Sequence, residues 1–194
     1  AELELDVAQD LPGVGGNLQD HLDVCTLVHC KEPISYDNLN ELAAGVRYLL
    51  KRDGPASSNI AEAGAFIASR HAVDDRPDIQ MHFVPALLDD HGRNILPGHG
   101  LTIHACALRP ESRGRLALKS ADPFTPPLIY ANYLSEEYDR RMMLECLRLS
   151  RDIFAQDALR EVQVRGLGGF RKAPDQEVTL EGGHEGMQTF GQAH

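Results

Sequence analysis

Imidazoles and carboxylates crowd the stretch from Asp78 to His104. His82, His91, His99 and His104, with Asp78, Asp89 and Asp90, are residue types that ligate divalent cations or act as general acids and bases. No H-x-x-x-H or H-x-H pairing occurs among them, so spacing supplies no metal-ligand set, and a metal-dependent hydrolase is the weaker reading. A second candidate is Glu62, the one carboxylate in Ile60-Ala61-Glu62-Ala63-Gly64-Ala65-Phe66. A carboxylate buried unpaired among apolar side chains is costly, so Glu62 either meets a specific partner or stands in water at a strand start. A third is Leu11-Pro12-Gly13-Val14-Gly15-Gly16, whose glycines allow close backbone approach, as an ordinary turn or as a phosphate cradle. No strand precedes it at the spacing of a dinucleotide fingerprint. It runs into Asn17-Leu18-Gln19-Asp20-His21, where Asp20 and His21 have the side chains to cap a turn.

Alternating strands are the elements expected to hold these groups. Val24 to Cys30 alternates, with Val24, Thr26, Val28 and Cys30 on one face. In Asp78 to Val84, Ile79, Met81 and Phe83 point one way and Gln80 and His82 the other. Leu101 to Leu108 and Arg115 to Ser120 also alternate, and Pro110 and Gly114 between them predict a chain reversal, hence a hairpin central to a sheet. With His82 and His104 on neighbouring strands, one side of the sheet is unusually polar: either a solvated face or the lining of a cavity. Residues 87–100 read as a loop of lid-like length.

Two helices are expected. Asn38 with Glu41 resembles a capping box ahead of the stripe Leu39, Leu42, Val46, Leu49 and Leu50, which Gly54 and Pro55 end. Ser135 is placed to cap a second helix over Glu136 to Phe154, with Tyr138, Met142, Cys146, Leu149 and Ile153 at helical spacing and the arginines, Arg140 among them, on a solvated face. Asp157 starts a short helix. Short connections between strands predict an α+β fold, an antiparallel sheet with helices packed on one face. Leu128 to Tyr130 reads as an edge strand, and glycines become dense from Gly166 onward.

At 194 residues the chain fits one domain. Four cysteines without a ligand or pairing pattern fit reduced thiols and a cytoplasmic location; Cys25 and Cys30, five apart on one strand, point to opposite faces. The net charge of −10 disfavours nucleic acid and anionic membrane surfaces. No apolar run approaches a spanning helix, and Ala1 to Asp10 lacks a signal-peptide core.

Two ordered motifs carry a family resemblance. Leu108-Arg109-Pro110-Glu111-Ser112-Arg113-Gly114-Arg115-Leu116, followed by Asp122-Pro123, Pro127 and Asn132-Tyr133-Leu134, resembles the substrate-domain core of glucose-methanol-choline (GMC) flavin oxidoreductases. Asp10-Leu11-Pro12-Gly13-Val14-Gly15-Gly16-Asn17-Leu18-Gln19-Asp20-His21 resembles the segment by which that family leaves its FAD domain. The resemblance is strongest to choline and aliphatic alcohol dehydrogenases. It implies FAD-dependent oxidation of a primary alcohol, with Asn17, Asp20 and His21 against the flavin and Asn59, Glu62, His82 and His104 facing a small-molecule alcohol. Residues 1–23 would then leave an FAD domain, 24–164 form the substrate-binding domain and 165–194 a Gly-rich tail. Glu185 to Phe190 resembles the helix preceding the family's catalytic histidine segment. Neither that segment nor the FAD-binding βαβ unit is matched, so the chain is expected to begin mid-protein and to lack bound FAD, catalytic residues and turnover. The alternative is a free-standing ligand-binding module.

Overall fold

The computed structural model describes residues 3, 5–37, 39–89 and 94–163. Its centre is an antiparallel sheet in the order β1-β6-β3-β2, formed by β1 (Asp23–His29), β2 (Ala63–Ile67), β3 (Ile79–Val84) and β6 (Gly100–Ala107). The alternation fixes which side is dry. Thr26, Val28 and Cys30 are buried, as are Ile79 and Met81, while Cys25, His29 and His82 are exposed. On the dry side lies α2 (Glu137–Phe154), whose Met142, Cys146 and Phe154 close a core with Val28, Ile79, Met81, Leu101, Ile103 and Ala105. Burial pushes the Cys146 thiol up to about 12, so it serves as a small apolar filler. The expected α+β fold is the observed one.

Several local expectations are corrected. The run Arg115–Ala117 (β7) does not pair with β6 but with β8 (Leu128–Tyr130), in a separate two-stranded ribbon where Arg115 stacks on Tyr130, 4.0 Å from its ring centre. The connection is pulled away from a tight reversal at both ends. Arg109 donates to the carbonyls of Arg76 and Pro77, and the N–H groups of Glu111 and Ser112 donate to the buried Asp139 carboxylate at 2.8 and 2.7 Å. Gly114 serves close approach, not a positive φ: it pairs with Leu18, and a Cβ there would overlap the Tyr130 carbonyl oxygen.

Both helix caps differ from expectation. Helix α1 (Glu41–Lys51) starts after Asn40, whose side chain accepts from the Ala43 N–H at 2.9 Å; Asn38 lies outside the described residues. The cap of α2 is Glu136 without a side-chain bond, and its N–H donates to Ser112 Oγ, so Ser135 plays no capping part. Arg140 is not simply solvated, since it donates to the carbonyls of Leu134 and Ser135.

Of the two long helices among the described residues, α2 is the one that packs on the sheet. Helix α1 lies against a 3-10 turn at Pro55–Ser57, and its stripe faces outward, with Leu42 80% and Leu50 79% exposed. The stretch expected to be a plain loop holds a minimal pairing of β4 (Leu88–Asp89) with β5 (Asn94–Ile95). Asp157–Arg160 forms the short α3. The Gly-rich tail and Glu185 to Phe190 lie outside the described residues.

Candidate functional site

Sheet register brings the polar side chains into rows on the face away from α2. Cys25 stands opposite His104, His104 opposite His82, and His82 opposite Gly64. The neighbouring row is Asp23, Cys106, Gln80 and Phe66. His82 and His104 are thus adjacent, as their strands required, and their environments set them apart. An amide N–H of Gln80 donates to His82 Nε2 at 2.9 Å, which makes that nitrogen an acceptor. His104 Nδ1 lies 2.9 Å from Asp23 Oδ2 and 3.0 Å from Cys25 Sγ. The Asp23 carboxylate first, and the Cys25 sulfur second, push His104 up to about 10 despite its partial burial, so it is held as an imidazolium. With Nε2 taken by Gln80, His82 has its Nδ1 N–H left to offer, beside a fixed cation at His104.

Glu62 and Asn59 sit at the rim, just before β2, and both are exposed. Glu62 is not without a partner: it accepts from the Tyr36 hydroxyl, a residue far away in sequence. Ile60 between them has φ 76°, a conformation a β-branched side chain rarely takes. Phe66 projects from the open face at 64% exposure, whereas Phe83 packs against the core and supplies no wall to that face.

The residues expected against a flavin lie at the end of β1. Asp20 and His21 line an open cleft of about 490 Å³ between residues 19–21 and 108–113, where Arg109 and Arg113 bring positive charge; Asn17 does not line it. His21 Nε2 donates to the Leu108 carbonyl at 3.0 Å. Asp20 accepts from the His21 N–H and from the Tyr133 hydroxyl, and burial, with Asp20 second, pushes Tyr133 up to about 12. These side chains are spent on shaping the cleft wall, as are Arg109, bonded to Asp74 and to the Arg76 and Pro77 carbonyls, and Arg113, bonded to the Pro110 and Ser112 carbonyls.

Apart from the neighbouring His82 and His104, the imidazoles and carboxylates between Asp78 and His104 do not converge among the described residues. Asp78 is buried and accepts from the Ser69 N–H and hydroxyl, His99 bonds Ser35, and Asp90 and His91 lie outside the described residues. Sequence reasoning missed Asp23, Cys25 and Tyr36. Placing Val24, Thr26 and Val28 inward already implied that Asp23 and Cys25 share the outer face, whereas nothing local announced Tyr36.

Comparison with known proteins extends this geometry. A family model described as GMC oxidoreductase matches residues 110–191. An oxygen-dependent choline dehydrogenase of Paraburkholderia phymatum is 42% identical over 170 residues, covering 86% of this chain and 30% of that protein. An alcohol dehydrogenase (acceptor) of Pseudomonas putida is 44% identical over 153 residues, 76% of this chain and 28% of that protein. The structure of formate oxidase from Aspergillus oryzae RIB40 superposes with a TM-score of 0.73 at 23% identity, covering 84% of this chain and 34% of that one, which speaks to the fold. The chain spans about a third of the length of the proteins it matches. With both motifs, the antiparallel fold and these matches in agreement, the chain belongs to the glucose-methanol-choline (GMC) oxidoreductase family.

Proposed function

We propose that this chain is the substrate-facing part of an FAD-dependent oxidoreductase that oxidises a primary alcohol to the aldehyde by hydride transfer to flavin. The observation that carries the reading is the row of His82 and His104 on the face not covered by α2, in a chain related to choline and alcohol dehydrogenases. The cleft at residues 19–21 and 108–113 supports the placing of one edge of a flavin there, because it is open and of ligand size. FAD, when bound in the whole enzyme, supplies the hydride acceptor. What this chain contributes is orientation. His82 presents an imidazole to a hydroxyl, His104 fixes a positive charge beside it, and Glu62 with Tyr36 closes the rim.

The wall chemistry favours an uncharged aliphatic alcohol over choline. A quaternary ammonium prefers a carboxylate within aromatic walls. Among the described residues Phe66 is the aromatic on the sheet's open face, the Tyr36 hydroxyl at the rim is bonded to Glu62, and His104 places a cation where such a head group would approach. The test is to compare choline with a medium-chain primary alkanol in the full-length parent, as wild type and Glu62→Gln. A strong wild-type preference for choline that Glu62→Gln selectively abolishes would refute the aliphatic assignment. The 194-residue chain alone carries no flavin on this reading, because dinucleotide affinity comes mainly from a phosphate-binding turn it does not match. Stoichiometric FAD absorbance after gel filtration would refute that part.

A further inference from the structure

Asp23 and Cys25 alternate onto one face of β1, and Cys25 is the register partner of His104 on β6. Three donor atoms of different chemistry meet there. Asp23 Oδ2 and His104 Nδ1 are 2.9 Å apart, Cys25 Sγ and Nδ1 3.0 Å, and Sγ and Oδ2 3.9 Å. Both side chains approach the same ring nitrogen. A nucleophilic relay needs the thiol on one imidazole nitrogen and the carboxylate on the other, so this is no relay. Nor can one nitrogen donate to the carboxylate while accepting from the thiol, since it has either a proton or a lone pair to offer.

We propose that Asp23, Cys25 and His104 form a binding site for a thiophilic divalent cation, of the zinc type, with water in the fourth position. Metal–ligand bonds of about 2.0–2.3 Å at tetrahedral angles separate N, O and S donors by roughly 3.3–3.6 Å. The observed separations lie within a few tenths of an ångström of that range, which side-chain rotation alone can supply. An N, S and O donor set selects zinc or cobalt over magnesium or calcium. The exposed Cys25 and the open face give the ion a path and the fourth position a water. The site lies outside the set of imidazoles and carboxylates considered from spacing alone, apart from His104, because its ligands come together through strand register and not through a local motif. It shares His104 with the flavin reading: a bound ion would take the place of the ring proton at Nδ1 and keep a positive charge there, and its binding is read on this chain with no flavin present.

The test is titration of the reduced, chelator-stripped 194-residue chain with Co²⁺ alone, following the near-ultraviolet thiolate-to-cobalt absorption, then displacement by Zn²⁺ against a chromophoric chelator. One equivalent should produce the band, and Zn²⁺ should abolish it. Cys25→Ser should remove the band and weaken binding by about tenfold or more, and Asp23→Asn should weaken binding while keeping the band. Both changes lie on the edge strand, so circular dichroism should report an unchanged fold. If His104→Gln fails to fold, Cys25→Ser still decides the matter. No thiolate band, or binding unchanged in both variants, overturns the site and assigns any bound metal to other histidines.

Discussion

The two faces of one sheet are built on opposite terms. Under α2, Ile79 and Ala105 are wholly buried, Ile103 nearly so, and the residues above them, Met142, Cys146 and Phe154, are buried as completely. On the other side stand His82, Cys25 and Phe66 in solvent, with His104 half-covered and bonded to Asp23. The dry face is satisfied within the chain. The wet face holds polar groups in rows whose order no packing demand explains, and on the proposed reading this is the side that meets the substrate. The contrast predicts that stability resides on one side and specificity on the other, and substitutions can separate the two.

The largest expected loss is on the dry face. Phe154→Ala removes a fully buried ring at the end of α2 and should destabilise by about 3–5 kcal/mol, read as a lower midpoint in urea with an unchanged slope. A loss below about 1 kcal/mol would mean that α2 is not what closes the core. Next comes Asp139→Ala, which leaves the N–H groups of Glu111 and Ser112 without their acceptor and loosens the connection out of β6. Two orphaned donors should cost about 2–4 kcal/mol, with Asp139→Asn recovering part of it.

The His104–Asp23 pair should make stability depend on alkaline pH. The folded value, near 10, is raised above the ordinary 6.5, so the contribution is fully present below about 6.5 and is lost as pH rises through the folded value. Asp23 is 36% exposed and solvent screens the pair, so about 1 kcal/mol is expected between neutral and strongly alkaline pH. Urea unfolding of wild type and His104→Gln in chelator should show the pH slope in the first and not in the second.

The same contrast explains what the sequence made legible. Period-2 alternation at Val24, Thr26 and Val28, and at Ile79 and Met81, assigned the dry face correctly because burial on one side leaves a direct imprint on composition. Helical spacing at Met142, Cys146 and Ile153 did the same for α2. The stripe on α1 was equally clear as a pattern, yet Leu42 and Leu50 face outward, since periodicity shows that a face is apolar and not what covers it. The hairpin failed for a related reason: Pro110 and Gly114 signal a change of direction, while Asp139, more than twenty residues on, decides where the chain goes. On the wet face the residue types at His82 and His104 were legible, but the Asp23 and Cys25 contacts depend on strand register, which no local pattern encodes.

The smallest expected effect on stability is also the sharpest test of the comparison. His82 is exposed, its ring bonds only with Gln80 among the contacts resolved around it, and its backbone lies in the ladder whatever the side chain. His82→Ala should therefore change unfolding free energy by less than about 0.5 kcal/mol, the ordinary range for a surface substitution. Replacing His82 removes a group that stability does not need, so its place between His104 and Gly64 has to be accounted for by what approaches the face. In the full-length parent the same substitution should lower kcat/KM for a primary alkanol by roughly tenfold to a hundredfold, the scale of losing one positioned hydrogen bond to a reacting hydroxyl. Unfolding in urea and steady-state kinetics on the two variants would read both numbers. A stability loss above about 1 kcal/mol with unchanged kinetics would invert the assignment: the polar face would be structural, and the alcohol site would lie elsewhere in the parent.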